Sequence, residues 1–158
     1  GSEMCIRDSS AACQVGSISG LGTEAEVNAL KSFGTNFGMT FQLIDDAIDY
    51  SSNKKILGKN TGDDFKEGKI TLPIILAYGR SNDKEKKFWE RTISDLNQND
   101  GDFEMALEII NKYQCIEDTL TRANHFSNVA VDSVDIFKDN IYKEKLVSLV
   151  SKSVSRIY

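Results

Sequence analysis

A single proline, Pro73, and eleven glycines are spread over the 158 residues of this chain, so few positions force a break in a helix. Between them, apolar residues recur mainly at steps of three and four, which is the spacing of one face of an α-helix. The clearest stretch begins at Glu24, after an N-cap at Thr23, and continues to Tyr50, for about thirty residues. These patterns predict an all-α fold.

Composition and charge exclude several classes of protein. Hydrophobic residues make up 40% of the chain and charged residues 27%, which is typical of one globular domain. The net charge of −5 opposes the neutralisation of nucleic-acid phosphates, so we expect no nucleic acid as a partner. Three cysteines without a CxxC pair, no membrane-length apolar run and no visible targeting segment lead us to expect a cytoplasmic protein.

Other segments predict further helices and one functional loop. Gly34 and Gly38 lie four apart inside the long helix, which predicts close packing against a neighbouring helix. The polar segment 51–69 has no apolar stripe and is long for a structureless loop, which favours a lid or a binding element. We expect a buried helix over 70–78, surface helices over 84–96 and 103–113, and packed helices over 116–137 and toward the C-terminus.

The strongest chemical signal is a group of three carboxylates, Asp45, Asp46 and Asp49, near the end of the long helix. Asp45 and Asp49 share one helix face, where like charges repel unless a cation lies between them. Magnesium prefers a few carboxylates together with water and phosphate oxygens. The sequence therefore predicts a metal-bridged phosphate site, with a solvated helix end as the structural alternative.

Lysines follow this acidic group along the polar segment. They are Lys54, Lys55, Lys59, Lys66 and Lys69. Lysine can bind phosphate as a point charge, although mixed charges in a loop are more often only solvated. His125 is the single histidine, so the sequence cannot assemble a zinc or di-iron site, and we expect His125 on a helix surface. We expect Cys115 to be packed rather than nucleophilic.

The motifs of this region resemble a known family. They read Phe41-Gln42-x-x-Asp45-Asp46-x-x-Asp49-Tyr50, then Gly58-Lys59, then Gly62-Asp63-Asp64-x-x-Glu67-Gly68-Lys69-x-Thr71-Leu72-Pro73. This combination is similar to the second aspartate-rich region of the trans-type polyprenyl diphosphate synthases. Within that family it looks most like the bacterial enzymes that make the octaprenyl or decaprenyl tails of respiratory quinones such as ubiquinone.

The resemblance implies an all-α, isoprenoid-synthase-type helical bundle and a prenyltransferase that adds isopentenyl diphosphate to an allylic diphosphate. Asp45, Asp46 and Asp49 would hold magnesium, as roughly two or three ions with the bound diphosphate in the complete enzyme. Lys59 and Lys69 would contact that diphosphate, and Gln42 would face the reacting centre. We therefore expect Gln42, Asp45 and Lys59 to be catalytic.

The resemblance is partial. Members of the family are about twice this length and carry a first aspartate-rich motif upstream, so we expect an N-terminally truncated chain. Residues 11–158 would be the C-terminal part of a polyprenyl synthetase domain, and residues 1–10 a segment foreign to the family. The chemistry needs both motifs, so we expect this chain alone to be inactive.

Two other functions stay open at this point. The chain could be a non-catalytic helical subunit that modulates a full-length synthase, or, less in keeping with its metal motif, a cyclase of the same fold family. A homodimer of the full-length form and peripheral membrane contact through the product also remain open. Product chain length cannot be predicted from these residues, because the resemblance places its determinants near the absent first motif.

Overall fold

The computed structural model describes residues 2–51 and 62–157, and within these two stretches the chain is helical without a β-strand. The helices are α1 (Ser2–Ser19), α2 (Glu24–Asp49), α3 (Asp63–Lys66), α4 (Leu72–Arg80), α5 (Asp83–Trp89), α6 (Asp102–Lys112), α7 (Cys115–Ser133) and α8 (Ile141–Val154). The all-α prediction is confirmed. None of the helices described is both long enough and apolar enough to cross a lipid bilayer.

The helices form two compact units. The first unit comprises Gly1–Ile44 and Thr121–Tyr158, and the second comprises Asp45–Leu120. Helices α2 and α7 each contribute to both units, because the boundaries fall inside them. The aspartate group and the segment from Gly62 to Lys69 consequently belong to the same unit, the second.

The start of α2 is set by two reciprocal hydrogen bonds. The backbone N–H of Thr23 donates to Oε2 of Glu26 at 2.7 Å, and the N–H of Glu26 donates to Oγ1 of Thr23 at 3.4 Å. The Thr23 contacts also lower the pKa of Glu26, the backbone hydrogen bond having the largest effect. The predicted N-cap is confirmed, and the helix ends at Asp49 after 26 residues.

In the first unit, α1 packs closely against α2 at the two glycines. A Cβ atom on Gly34 would lie 2.9 Å from Cα of Ser10, and one on Gly38 would lie 2.8 Å from Cα of Ile6. The predicted close approach of a neighbouring helix is therefore confirmed. The core of this unit is formed by the buried side chains Phe33, Ala130, Val134 and Val150, which come from α2, α7, the turn after α7, and α8.

The core of the second unit is larger and rich in aromatic residues. It contains the buried residues Tyr50, Phe65, Ile74, Ala77, Phe88, Trp89, Ile93, Ala106, Ile109, Ile110 and Cys115. The indole N–H of Trp89 donates to the Ser81 hydroxyl at 3.2 Å, so its polar atom is satisfied inside the core. Trp89 is the single tryptophan of the chain, so its fluorescence reports on this unit.

Three predicted elements need correction. The helix predicted as buried over 70–78 is α4, with Pro73 in its first turn, but it buries one face only: Ile75 is 51% exposed. The two helices predicted for the surface, α5 and α6, do expose one face, yet both supply core residues. After Trp89, α5 continues as a π-helical turn, Glu90–Ser94. Their apolar stripes therefore face the centre of the unit.

The polar segment after α2 is not structureless throughout. Residues 52–61 lie outside the described residues, but Asp63–Lys66 forms the short helix α3, and its Phe65 is only 2% exposed. The prediction of an unstructured loop to Lys69 is therefore wrong for this part. A single buried phenylalanine produces no periodic pattern, so an anchored helix could not be predicted here.

Two single residues lie where they were expected. Cys115 is fully buried at the start of α7, and burial raises the pKa of its thiol. His125 is exposed on the surface of α7. The buried position predicted for Cys115 and the helix-surface position predicted for His125 are therefore confirmed.

Candidate functional site

The three aspartates of the motif lie on the last turns of α2 in different environments. Asp46 is buried, with 5% of its surface exposed, whereas Asp45 and Asp49 are half-buried. Asp45 and Asp49 share one face of the helix, and Asp46 is turned about 100° away from Asp45, toward the interior. Gln42 lies about one turn earlier and is also half-buried.

Asp49 connects α2 to the start of α3. Its Oδ2 accepts the backbone N–H of Asp64 at 3.1 Å, and the N–H of Asp63 lies close to the same carboxylate. Burial raises the pKa of Asp49, the two N–H groups oppose this rise, and the carboxylates of Asp63 and Asp64 add to it. A cation at this carboxylate would offset both the burial and the repulsion.

Lys69 lies close to the same group of acids. Its ammonium contacts Oδ1 of Asp64 and Oε2 of Glu67, each at 2.8 Å. These two carboxylates, Asp64 first, raise the pKa of Lys69 above its usual range. The side chain is 51% exposed, so a bound anion could still reach it. The other predicted diphosphate ligand, Lys59, lies outside the described residues.

The segment that carries Asp64 and Lys69 is anchored on the core. The Phe65 ring packs against Phe103 with 5.7 Å between ring centroids, and Nε2 of Gln98 donates to the Phe65 carbonyl at 2.7 Å. Gly68 has a φ of +64°, and a Cβ there would overlap the Leu96 side chain. The turn before Lys69 therefore requires glycine.

Sequence reasoning missed the parts played by Asp64, Phe65 and Gln98. Asp64 belongs to the quoted motif, but its pairing with a lysine five residues later depends on the left-handed turn at Gly68. The sequence signal that could have indicated this pair is an aspartate and a lysine on either side of Gly68. Nothing in the sequence indicated Gln98, whose two acceptors are backbone carbonyls on other segments.

Tyr50 and Thr71, also part of the motifs, are buried in the second unit, with 1% and 5% of their surfaces exposed. Burial is the main reason that the pKa of Tyr50 is raised, and the nearby Thr71 hydroxyl partly opposes the rise. Neither hydroxyl meets the geometry of a hydrogen bond with another described residue. The two residues fix the end of α2 and the start of α4 in one core.

The donor set fits a hard divalent cation that keeps other ligands. Among residues 2–51 and 62–157, no three carboxylate, histidine or cysteine side chains converge into a cluster that could hold a metal by themselves. Asp45 and Asp49 nevertheless offer carboxylate oxygens on one helix face, and magnesium readily takes water and phosphate oxygens as its remaining ligands. The residues present therefore fit a cation that arrives with a diphosphate.

Comparison with known proteins agrees with the motifs. The family model described as "Polyprenyl synthetase" matches residues 9–110. The chain belongs to the polyprenyl synthetase family. The octaprenyl diphosphate synthase of Haemophilus influenzae is 37% identical over 145 residues, which are 92% of this chain and 44% of that protein. The octaprenyl diphosphate synthase of Escherichia coli is 33% identical over 146 residues, 92% of this chain and 45% of that one.

Solved structures show the polyprenyl synthetase fold directly. A decaprenyl diphosphate synthase from Rhodobacter capsulatus is similar with a TM-score of 0.88 and 36% identity, covering 95% of this chain and 46% of that one. A polyprenyl synthase from Caulobacter crescentus, solved in complex with calcium and isoprenyl diphosphate, has a TM-score of 0.84 and 40% identity, with coverage of 93% and 45%. The chain thus spans about half the length of the relatives it matches.

Proposed function

We propose that this chain carries the second aspartate-rich site of a polyprenyl diphosphate synthase, which lengthens an allylic diphosphate with isopentenyl diphosphate. The observation that carries the proposal is a series of contacts from Asp49 to Asp64 to Lys69. These contacts bring the lysine ammonium close to the aspartate motif. The relatives named octaprenyl and decaprenyl diphosphate synthases support a long-chain product. Use of this product for ubiquinone side chains and its synthesis in the cytoplasm belong to the same proposal.

The residues divide into metal ligands and diphosphate ligands. Asp45, Asp46 and Asp49 would hold magnesium, with Asp46 the least accessible of the three. The calcium and isoprenyl diphosphate bound by the Caulobacter crescentus relative support a divalent cation at such a site. Lys59 and Lys69 would contact the diphosphate, and Gln42 would face the reacting carbon.

The reaction cleaves the allylic C–O bond, and diphosphate leaves with the electron pair. The double bond of isopentenyl diphosphate then supplies the electrons of the new C–C bond, and the loss of a proton restores a double bond. Magnesium would supply charge stabilisation for the leaving diphosphate. Lys69 adds a fixed positive charge, and charge aligned before reaction is usually the largest contribution to catalysis.

The remaining parts of the proposal concern the boundaries of the chain and its partners. Residues 11–158 would form the C-terminal part of a polyprenyl synthetase domain, with residues 1–10 outside it, although helix α1 continues through residue 10 without a break. The family model matches residues 9–110, so its match begins two residues before this proposed boundary. A homodimer of the complete protein and membrane contact through the apolar product belong to the same proposal.

We expect magnesium-dependent binding of an allylic diphosphate analogue to be lost in an Asp45→Ala, Asp49→Ala variant. The two carboxylates on one helix face are the chain's ligands for the cation that bridges to the diphosphate. Calorimetric titration of geranyl thiodiphosphate with and without magnesium measures the loss. An Asp100→Ala, Asp132→Ala variant removes the same charge at exposed positions and should bind like the original chain.

Two outcomes would contradict this assignment. Unchanged binding in the Asp45→Ala, Asp49→Ala variant would exclude the aspartate motif as the site. No binding by a cooperatively folded original chain would favour the non-catalytic subunit that modulates a complete synthase. Trp89 fluorescence during urea unfolding establishes whether the second unit is folded in each sample.

We also expect the 158-residue chain by itself to show no prenyl transfer. It carries one aspartate-rich motif, whereas the proposed reaction needs a second acidic cluster to align both substrates. Incorporation of radiolabelled isopentenyl diphosphate into products that extract into organic solvent measures the activity. Turnover by the purified chain would show that this half of the fold is sufficient.

A further inference from the structure

Asp64 contacts both Asp49 and Lys69, through two different groups. Its backbone N–H donates to Oδ2 of Asp49 at 3.1 Å, while its own Oδ1 accepts from the Lys69 ammonium at 2.8 Å. We propose that Asp64 is a positioning residue, which holds the Lys69 ammonium at a fixed place relative to the Asp49 carboxylate so that both engage one diphosphate. This inference rests on the proposed function and adds a residue to it.

Lys69 needs such a contact because its side chain is long and flexible. Fixing a free lysine costs rotamer entropy, which a ligand would otherwise have to offset. An ammonium group has three N–H donors, and the carboxylates of Asp64 and Glu67 use two of them. The third is left for a phosphate oxygen, and its direction is set before the ligand arrives.

Asp64 can act in this way because it is itself held. It lies in α3, where Phe65 is buried against Phe103 and the Phe65 carbonyl accepts from Gln98. The Asp64 side chain is only 17% exposed, in contrast to Asp63, whose side chain is 54% exposed and pairs with Lys66 at 3.6 Å. Two neighbouring aspartates therefore differ: one is fixed between Asp49 and Lys69, and the other faces solvent.

The test is a double-mutant cycle on ligand affinity. Calorimetry with magnesium and geranyl thiodiphosphate compares the original chain with Asp64→Ala, Lys69→Ala and the double variant. We expect Asp64→Ala to bind about tenfold more weakly, but to have no effect once Lys69 is absent, because Asp64 acts through that lysine. Asp64→Asn keeps an oxygen acceptor and should bind with intermediate affinity. Asp100→Asn, at an exposed position outside the site, is the control and should bind normally.

A second measurement follows the ion pair without any ligand. The NMR signal of the Lys69 ε-carbon, assigned with the Lys69→Ala variant, gives the lysine pKa, which should fall in Asp64→Asn and stay unchanged in Asp63→Asn. Trp89 fluorescence checks that each variant is folded. If Asp64→Ala does not fold, Asp64→Asn decides, by weaker binding or by affinity equal to that of the original chain.

Different failures point to different errors. Equal affinity in folded Asp64 variants, or an Asp64→Ala effect that persists without Lys69, overturns the positioning role while the proposed function stands. Tighter binding in Asp64→Ala also overturns it, since Asp64 would then compete with the ligand for Lys69. Absence of magnesium-dependent binding in the folded original chain overturns the proposed function and this inference together.

Discussion

Replacing Phe65 by alanine is expected to lower the free energy of unfolding of the second unit by about 3–5 kcal/mol. The ring is 2% exposed and packs against Phe103 in the core of that unit, so its removal leaves a cavity as well as losing apolar burial. The same change should weaken magnesium-dependent binding of the allylic analogue. Phe65 lies between Asp64 and Lys66 in α3, and without it the helix loses its anchor.

Urea unfolding followed by Trp89 fluorescence measures this loss, because Trp89 lies in the same unit. Ile70→Ala is the matched control: Ile70 is 72% exposed, and surface changes usually alter stability by no more than about 0.5 kcal/mol. A Phe65→Leu variant, which loses less volume, keeps the experiment informative if the alanine variant does not fold. Equal urea midpoints for Phe65→Ala and Ile70→Ala would contradict the proposed anchoring of α3.

Replacing Gly34 by alanine is expected to destabilise the first unit by up to about 2 kcal/mol. Alanine favours a helix by about 1 kcal/mol relative to glycine, but overpacking a tight contact costs about 1–3 kcal/mol and sometimes more. Here the new methyl group would meet backbone atoms, the Ser9 carbonyl and Cα of Ser10. Backbone atoms in the middle of α1 cannot rotate away, so the two helices would have to separate.

Far-UV circular dichroism during urea unfolding measures this effect. Gly16→Ala provides the matched control, since Gly16 lies in α1 with no atom within 4 Å of its added Cβ. That variant should be more stable than the original chain by about 0.5–1 kcal/mol, through helix propensity alone. Stabilisation by both substitutions would show that α1 does not approach α2 as closely as described.

Much of the fold could be predicted from the sequence, because α2 and α7 carry regular apolar stripes and the Thr23 cap is local. Helix α1 could not, since its contact with α2 depends on small residues and backbone approach rather than on a stripe of large side chains. The family motifs predicted the aspartates and Lys69. The contact that joins them through Asp64 depends on the position of α3. That position depends on the buried ring of Phe65, which no sequence pattern indicated.

The Glu85 carboxylate makes one contact that is local in sequence and two that are distant. Its Oε2 accepts from the backbone of Asn82 at 2.9 Å, which completes the capping box of α5, and from the Tyr113 hydroxyl at 2.9 Å, while Oε1 accepts from Lys112 at 2.8 Å. The capping box involves residues only three apart, so it can form before α6 exists. The contacts with Lys112 and Tyr113 span 27 and 28 residues, so the carboxylate that caps α5 also holds the end of α6 against it.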